Sequence, residues 1–262
     1  MKKKSIQIRK QPHTECTQCL IRKLALFQGV PPDRLEWTQK YRDQQFVVPS
    51  KATLYREGSV TDYVYTLFDG WMAMYQTSRE GKRQILRFAL PGDFLGFQTD
   101  QRGMISHSVS ALTESIVCGF PRSRLQEMLE ENPALALRLA SMGSRDMNLC
   151  QQHQAFRSRK DAYESIAFLL LELFHRTREH LSQNYDPETN SVVFPLTQED
   201  IGDAVGLTNV HVNRILRQFH KLGLIDCHHR RLHILDEEKL TDMGEFDKSI
   251  ISSNPIIYGL NS

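Results

Sequence analysis

The spacing of apolar and polar residues first predicts a region of β-structure. From about residue 46 to 120, short runs rich in Val, Tyr, Phe, Leu and Ile are separated by Gly58, Gly70, Gly81 and Gly92, which lie 11 or 12 residues apart. Turn signals at this interval are typical of a sandwich or barrel of antiparallel strands. The sequence SREG, which ends at Gly81, predicts a hairpin loop.

A helical pattern replaces the β pattern after Asn132-Pro133, where Asn suits the N-cap and Pro the first helical position. Beyond this point side chains recur at seven-residue intervals in a narrow stripe, interrupted by one Asp and one His. We interpret the stripe as the seam of a homodimer; the alternative is a helix packed on its own domain. The predicted dimerisation residues are Leu135, Leu139, Met142, Asp146, Leu149, His153 and Phe156.

Residues 195–225 predict two helices joined by a glycine turn. Thr197 caps the first helix with Asp200 three residues later, Gly206 ends it, and Thr208 caps the second. Two helices joined in this way form a helix-turn-helix, whose second helix enters the DNA major groove. The alternative is an ordinary helical hairpin with one solvated basic face.

The second helix has a basic face. Residues 208–225 include Arg214, Arg217 and Lys221 but contain no Asp or Glu. Arg suits guanine and Asn suits adenine, and both also hold phosphate. After it, the sequence LIDCHHRRLHILD (224–236) predicts a β-hairpin wing with arginines at its tip. Its histidines and Cys227 are also a candidate metal cluster, but neighbouring strand residues point to opposite faces, so we prefer the wing. The predicted DNA-binding residues are Thr197, Gln198, Thr208, Asn209, Val210, His211, Asn213, Arg214, Arg217, Lys221, Arg230 and Arg231.

The composition excludes several classes of protein. Apolar residues make up 40% of the 262 residues, which suffices for a core, and the net charge of +2 names no partner by itself. The basic start MKKKSIQIRK lacks a following signal-peptide core, and no apolar run is long enough to cross a membrane. Five cysteines do not suggest a disulfide framework. We expect a reduced cytoplasmic protein with no membrane partner.

The sequence HTECTQC places His13, Cys16 and Cys19 three residues apart, a spacing that lets side chains converge on a metal. The next cysteine is Cys118. The residues alone leave open a cofactor site, a redox switch or free thiols.

The order of β-roll, heptad helix, helix-turn-helix and wing resembles the CRP/FNR family of bacterial transcription regulators over roughly residues 25–236. The sequences LYREG, LFDGW, LPGDFLG and LTQEDIGDAVGLTNVHVNRILRQFHKLGLI carry the resemblance. It implies a homodimer that binds a two-fold symmetric site on double-stranded DNA, with an effector domain that tunes affinity. It also implies contact with RNA polymerase if the protein is an activator.

Two departures from the family limit what the resemblance implies. Cyclic-nucleotide binders carry a Glu for the ribose after PGDFLG and, later, an Arg-Ser pair for the phosphate. Here Phe97 follows Gly96, and Ile105-Ser106 stands where Arg-Ser would be, which argues against a cyclic nucleotide. In the recognition helix, Val210 replaces the family's Glu, so it can contact a thymine methyl group but cannot accept from cytosine.

The oxygen-sensing branch of the family holds a 4Fe–4S cluster on four cysteines. Cys16, Cys19 and Cys118 match three of them, whereas Ala25 lies about where the fourth would be. His13 is a candidate for the fourth position, and zinc on the same four residues is an alternative, as is no cofactor at all. Asp146 matches an aspartate that makes dimerisation of the oxygen sensor conditional. We therefore expect Asp146 to face its copy across the two-fold axis and to weaken the dimer.

The sequence as a whole predicts an α+β protein with a jelly-roll-like antiparallel β-roll, a long dimerisation helix and a winged helix-turn-helix. The predicted segments are an extension over 1–24, the roll over 25–131, the helix over 132–158, the DNA-binding domain over 159–236 and a tail over 237–262. We expect a sequence-specific transcription regulator that senses oxygen or redox state through cysteines. The alternatives are a response to another small molecule, constitutive activity, and a β-roll interaction module without DNA affinity. Nucleophile-elbow, P-loop and H-E-x-x-H patterns are missing from the sequence, so we do not expect an enzyme.

Overall fold

The α+β architecture is confirmed by a computed structural model of the chain. The described residues are 8–12, 14–16, 19–22, 24, 26–28, 35–97, 99–100, 102–159, 161–180 and 184–251. They form two compact units. Of the described residues, one unit holds those up to 76 together with 88–142, and the other holds 77–87 together with 143–251. The tip of one hairpin, which the sequence assigns to the roll, therefore groups with the C-terminal unit.

The first unit is built around the β-roll, and residues 77–87 of the roll group with the second unit. The elements of the roll and its flanking helices are β1 (Arg9–Gln11), α1 (Leu35–Tyr41), β2 (Gln44–Val48), β3 (Thr53–Tyr55), β4 (Tyr63–Asp69), β5 (Met72–Thr77), β6 (Arg83–Ala89), β7 (Phe94–Leu95), β8 (Ser108–Ala111), β9 (Ser115–Pro121) and α2 (Leu125–Glu131). One sheet has the order β1-β2-β9-β4-β7 and the other the order β3-β8-β5-β6. Alternate residues of both sheets point inward and form one core, as the period-2 pattern predicts.

The core of the roll is densely filled with aromatic and aliphatic side chains. Tyr55 and Tyr65 are 6% and 8% exposed, and their rings stack with centroids 6.3 Å apart. The Tyr55 hydroxyl lies 3.2 Å from Nε2 of the buried His107. Ile105 is 1% exposed and belongs to the same core. The residue at the position of the family's phosphate-binding arginine is thus a core side chain.

The long helix α3 (Ala134–Arg159) turns its heptad stripe toward the interior of its own chain. Leu135, Met142 and Leu149 are only 1–3% exposed in the single chain, which leaves them little surface to bury against a second copy. Leu135 packs in a core with Leu125 and other side chains of the first unit. The heptad period marks which face is buried, but it does not identify the partner that buries it.

Asp146 does not stand alone on this helix. Its Oδ1 lies 2.7 Å from Nη1 of Arg87 and 3.0 Å from Nη2 of Arg145. Both arginine side chains are less than 10% exposed. Because these charges compensate the carboxylate within one chain, the expected repulsion between two copies of Asp146 loses its basis. The Phe156 side chain lies outside the described residues.

The second unit contains the remaining elements. They are α4 (Ala162–His180), β10 (Tyr185–Asp186), β11 (Ser191–Val193), α5 (Gln198–Val205), α6 (Asn209–Lys221), β12 (Ile225–His228), β13 (Arg231–Ile234) and α7 (Glu237–Gly244). The four strands form a sheet with the order β10-β11-β13-β12. The polar sequence of segment 182–193 favours a loop, but the segment supplies two of these strands, β10 and β11. The tail beyond 237, which has no clear pattern, forms α7 and packs on α4 through Gly244, where a Cβ would lie 2.9 Å from the Phe168 nitrogen.

A buried polar network joins α3 to α4. The Glu172 side chain is 2% exposed and accepts from Nη1 of Arg176 at 2.9 Å. Its other oxygen lies 2.7 Å from Nε2 of His153, a residue of the heptad stripe. Burial raises the pKa of Glu172, but His153 and Arg176 outweigh this and lower it to about 2. His153, a residue expected on a dimer seam, therefore makes this contact within its own chain.

We expect the stability of this unit to fall between pH 6.5 and 4 because of His175. Burial, together with the charges of Arg178 and Lys248, lowers the pKa of His175 to about 4. The folded chain prefers neutral His175. The contribution of this residue to the free energy of unfolding is therefore complete above pH 6.5 and is lost as pH falls through 4. The loss should be about 2–3 kcal/mol. Urea unfolding at pH 7.5 and 4.5 measures it, and His175→Gln should show a smaller pH dependence of stability than the wild-type protein.

Among the described residues, no helix is both long enough and apolar enough to cross a bilayer.

Candidate functional site: a nucleic-acid interface and a cysteine cavity

Helix α5 begins with a complete capping box. Thr197 Oγ1 accepts from the Asp200 nitrogen at 3.1 Å, and an Asp200 carboxylate oxygen accepts from the Thr197 nitrogen at 3.0 Å. The helix ends at Gly206, whose φ of 79° is the left-handed conformation that glycine adopts most easily. These two signals fix the ends of the first helix of the motif, as the sequence predicts.

The turn after α5 closes against a second glycine that sequence reasoning missed. A Cβ on Gly202 would lie 2.5 Å from the carbonyl oxygen of Leu207. That oxygen belongs to the backbone, so it cannot move without opening the turn. Gly202 therefore lets the two helices meet. Its position in the middle of a helix does not reveal this role in the sequence.

Gly202→Ala should destabilise the C-terminal unit by about 1–3 kcal/mol, the usual cost of overpacking, and should weaken DNA binding. Gly206→Asn is the matched control, because asparagine tolerates a positive φ and no atom lies within 4 Å of a Cβ there. Urea unfolding and anisotropy with a DNA duplex measure both effects. An alanine variant as stable as the asparagine variant would contradict the role of Gly202.

Helix α6 packs one face on the unit and leaves the other open. Thr208 Oγ1 accepts from the His211 nitrogen at 3.3 Å, and Val212, Ile215 and Phe219 are buried. Val210 is 82% exposed, a high value for a valine. The open face bounds a surface depression of about 450 Å³ lined by Val210, Asn213, Arg214, Arg217, Gln218 and Lys221.

The predicted base-reading arginine has a neighbour on its own helix. Nη2 of Arg214 lies 2.9 Å from Nε2 of His211, one turn earlier. Because an arginine has no acceptor, His211 must accept through its unprotonated nitrogen. The described part of α6 contains no acidic side chain that would compete for the guanidinium. Thr208, Asn209, Arg217 and Lys221 are likewise exposed on or beside the helix.

The wing is a two-residue hairpin between β12 and β13. His229 and Arg230 at its tip both have positive φ values, 48° and 58°. Arg230 is exposed, but Arg231 donates to the Ser191 hydroxyl at 2.8 Å and to the Ser191 carbonyl at 2.9 Å. Arg231 thus ties the wing to β11, and the structure does not leave it free at the tip as expected.

Recognition helix and wing enclose a groove of about 680 Å³. It is lined by Asn213, Arg217, Arg230 and other residues of these two elements, and by Gln198 of α5. The sequence did not single out Asp226 in this groove; its carboxylate lies 2.8 Å from Nδ1 of His228. These residues stand near each other without forming a metal site, because no three His, Cys, Asp or Glu side chains in the described ranges could hold a metal ion.

Three cysteines converge in the first unit. Cys16, Cys19 and Cys118 line one small cavity of about 40 Å³ together with Arg42 and other residues. Cys118 is 7% exposed and accepts from Nε2 of Gln45 at 3.5 Å. The family resemblance implies that the N-terminal pair lies near Cys118, and the shared cavity brings the three residues together. His13 and Ala25 lie outside the described residues.

Burial opposes ionisation of two of the three thiols. Burial raises the pKa of Cys118 to about 11, against the opposing charge of Arg42, and burial likewise raises the pKa of Cys19. The three thiols share a cavity but do not form a ligand set, since the described side chains include no group of three that could hold a metal ion. The described residues thus do not fit an iron–sulfur cluster or zinc as they stand.

Two family models match the chain. Residues 45–132 match the cyclic nucleotide-binding domain, and residues 164–243 match the Crp-like helix-turn-helix domain. The structure of FixK2 from Bradyrhizobium japonicum is similar, with a TM-score of 0.68 and 26% identity over 76% of this chain and 96% of that one.

Two curated relatives match this chain over nearly their whole length. The transcriptional activatory protein AadR of Rhodopseudomonas palustris is 30% identical over 87% of this chain and 95% of the relative. The nitrogen fixation regulation protein FixK of Bradyrhizobium diazoefficiens is 30% identical over 86% of this chain and 92% of the relative. These relatives are regulators rather than enzymes. The chain therefore belongs to the CRP/FNR family of DNA-binding transcription regulators.

Proposed function

We propose that the protein is a homodimeric transcription activator whose affinity for a two-fold symmetric DNA site follows the redox state of Cys16, Cys19 and Cys118. The observation that carries the sensing role is the single cavity that these three residues share. The relatives AadR and anr of Pseudomonas aeruginosa are both named as activators, which supports activation and contact with RNA polymerase. The exposed face of α6 supports the DNA role.

Oxidation of two thiols to a disulfide would leave the cavity uncharged. The two thiols release their protons and pass two electrons to dioxygen or a peroxide, so no charge stays buried. A disulfide within the cavity would join the N-terminal segment to β9, which carries Cys118. That link would fix the segment against the roll, whereas the reduced thiols leave it held by hydrogen bonds such as the one from Arg42 to the Thr14 carbonyl.

The test compares anaerobically purified protein before and after exposure to air. Thiol titration, peptide mass mapping, an ultraviolet–visible spectrum and assays of iron, zinc and sulfide are made on each sample, with DNA affinity measured in parallel. We expect a loss of thiols at this cavity together with a change in affinity, absent in Cys118→Ser and retained in Cys150→Ser, whose cysteine is exposed. Iron with sulfide would assign the site to a cluster instead. Equal DNA affinity in both samples would contradict cysteine sensing.

We place the dimer interface on the exposed face of α3, opposite its buried stripe. Leu137, Ala140, Ser144, Met147 and Gln151 recur there at alternating steps of three and four residues, and all are exposed. Leu137 and Met147 are 43% and 60% exposed, which is unusual for such large apolar side chains on a folded chain. A second copy would bury them by pairing with the same face.

Met147→Arg should convert the dimer to monomers, because two like charges would meet across the two-fold axis. Asp146→Ala should not strengthen the dimer, since Asp146 already pairs with Arg87 and Arg145 of its own chain. Sedimentation velocity measures the association of both variants. A dimeric Met147→Arg protein would move the interface elsewhere.

The effector in this proposal is not a cyclic nucleotide. Ile105 occupies the core where a phosphate-binding arginine is expected, and Ser106 contacts His107, its Oγ lying 3.2 Å from Nδ1. Titration calorimetry with cyclic AMP and cyclic GMP should show no binding. Binding of either nucleotide in the micromolar range would contradict this part of the proposal.

A further inference from the structure

The tip of the β5–β6 hairpin, residues 77–87, carries an arginine that grips α5. Nη2 of Arg83 lies 2.7 Å from Oδ1 of Asp200, and Nε lies 2.6 Å from Oδ2 of Asp203. Arg83 thus uses the fork of its guanidinium to join two acids one turn apart. Gln84 adds a hydrogen bond to the Asp203 carbonyl oxygen. The tip therefore holds the outer face of the first helix of the motif at three points.

The contact is more than a surface ion pair. The side chains of Asp200, Asp203 and Arg83 are 9%, 25% and 28% exposed. Water and salt screen such partly buried charges less than exposed ones. Asp200 also completes the capping box through its other oxygen, which accepts from the Thr197 hydroxyl at 2.6 Å. The arginine consequently contacts the residue that fixes where α5 begins.

The same hairpin tip stands beside the turn that leads into the recognition helix. A groove of about 910 Å³ is lined on one side by residues 78–84 and on the other by Gly206, Leu207 and Thr208. Thr208 is the cap of α6. Any rotation of α5 against the hairpin would therefore also change the start of α6. The first helix of such a motif crosses the DNA backbone and sets the angle at which the second enters the groove.

We infer that Arg83 is a positioning residue for DNA binding: by clamping Asp200 and Asp203 it fixes α5, and through α5 the recognition helix, in the orientation that fits the major groove. The inference rests on the proposed DNA role of α6. A helix pair held in its bound orientation loses less conformational freedom on binding, which raises affinity without a direct contact to DNA. Arg83 itself would contact no base.

A purely electrostatic role for Arg83 predicts the opposite effect on DNA binding for the substitution of Asp203. If Arg83 acted only through its positive charge, removing it would weaken DNA binding, and removing the negative charge of Asp203 would strengthen it. If Arg83 acts by holding α5, both changes break the same contact and both weaken binding. Arg83→Lys sharpens the distinction, because lysine keeps the charge but lacks the fork that spans two carboxylates.

The experiment uses the full chain and a duplex that the wild-type protein selects from a random pool. Fluorescence anisotropy gives Kd for Arg83→Ala, Arg83→Lys, Asp203→Asn and the double variant Arg83→Ala/Asp203→Asn. We expect each single change to weaken binding about tenfold and the double change to weaken it no further, as coupled residues do. Lys82→Ala is the matched control, since Lys82 is an exposed neighbour whose ammonium group pairs with the exposed Glu80 at 3.4 Å. Its Kd should stay within about twofold of wild type.

Opposite effects of Arg83→Ala and Asp203→Asn would overturn the inference in favour of simple electrostatics. Wild-type binding by Arg83→Lys would do the same, and tighter binding by both alanine and asparagine variants would show that the contact restrains the helices instead. Unfolding midpoints recorded beside Kd separate positioning from a loss of folded protein. Arg214→Ala distinguishes the two levels of the proposal: if it binds normally, the DNA role of α6 is wrong, whereas its failure beside normal Arg83 variants would reject only the role of Arg83.

Discussion

Replacing Arg214 with alanine is expected to abolish sequence-specific DNA binding and to leave the fold intact. Arg214 is exposed on α6, and its guanidinium contacts the His211 ring at 2.9 Å in place of an acid. A bidentate arginine–guanine contact contributes about 1–3 kcal/mol of discrimination, hence about 2–6 kcal/mol over the two half-sites of the proposed dimer. The dissociation constant for the selected site should therefore rise by roughly 30-fold to 10⁴-fold. Because the side chain packs in no core, its loss should change unfolding by less than about 0.5 kcal/mol.

Lys221→Ala is the matched control at the other end of the same helix. Lys221 is exposed, and we expect it to contact phosphate rather than bases, so its loss should weaken binding equally on all sequences. The slope of log affinity against log salt should fall by about one. Competition between the selected duplex and a scrambled duplex measures discrimination for both variants. If Arg214→Ala discriminated as well as Lys221→Ala, a different residue would read the site.

The largest effect on stability is expected from Glu172→Gln. Glu172 and Arg176 are 1% and 0% exposed, and the substitution would leave the arginine charge buried without its carboxylate. Removing one partner of a buried ion pair destabilises proteins by about 3–5 kcal/mol. His153 would lose the same carboxylate, which would loosen α3 from α4. Urea unfolding at pH 7 measures the change.

Glu179→Gln on the same helix is the control for this substitution. Glu179 is exposed and contacts Lys248 at 3.1 Å, so its loss should cost less than about 0.5 kcal/mol. The pH dependence gives a second check: the pKa of Glu172 is lowered to about 2, so its contribution is complete above the pKa of an unfolded glutamate, near 4.5, and is lost as pH falls toward 2. A wild-type protein and Glu172→Gln with equal stability at pH 7 would show that the network contributes nothing.

Signals that lie close together in the chain were readable from the sequence. Thr197, Asp200, Gly206 and Thr208 occur within twelve residues, and each fixes its own backbone by a local hydrogen bond or a positive φ. The glycines that mark turns in the roll, such as Gly81, act in the same way because they adopt positive φ values. The helix-turn-helix and the strand-rich roll could therefore be predicted without any knowledge of tertiary contacts.

Features that depend on distant partners could not be read in this way. The stripe of α3 shows that one face is buried, but it contains no information on whether a second copy or the same chain buries it. Asp146 seemed to need compensation from outside, and the structure supplies it from Arg87, 59 residues earlier. Arg231 was expected at the free tip of the wing, but its strand β13 pairs with β11. Charge and periodicity identify a need for a partner, and only the fold identifies the partner.

The hairpin tip has a consequence for how the chain is made. Arg83 and Asp200 are separated by 117 residues, although both belong to the C-terminal unit. At about 5–20 residues per second, a ribosome would expose the tip for roughly 6–25 seconds before α5 emerges. During that time the β-roll can fold, but the tip has no helix to bind. The DNA-binding unit is therefore assembled only at the end of synthesis, and a separately expressed fragment beginning at α3 would lack one of its own parts.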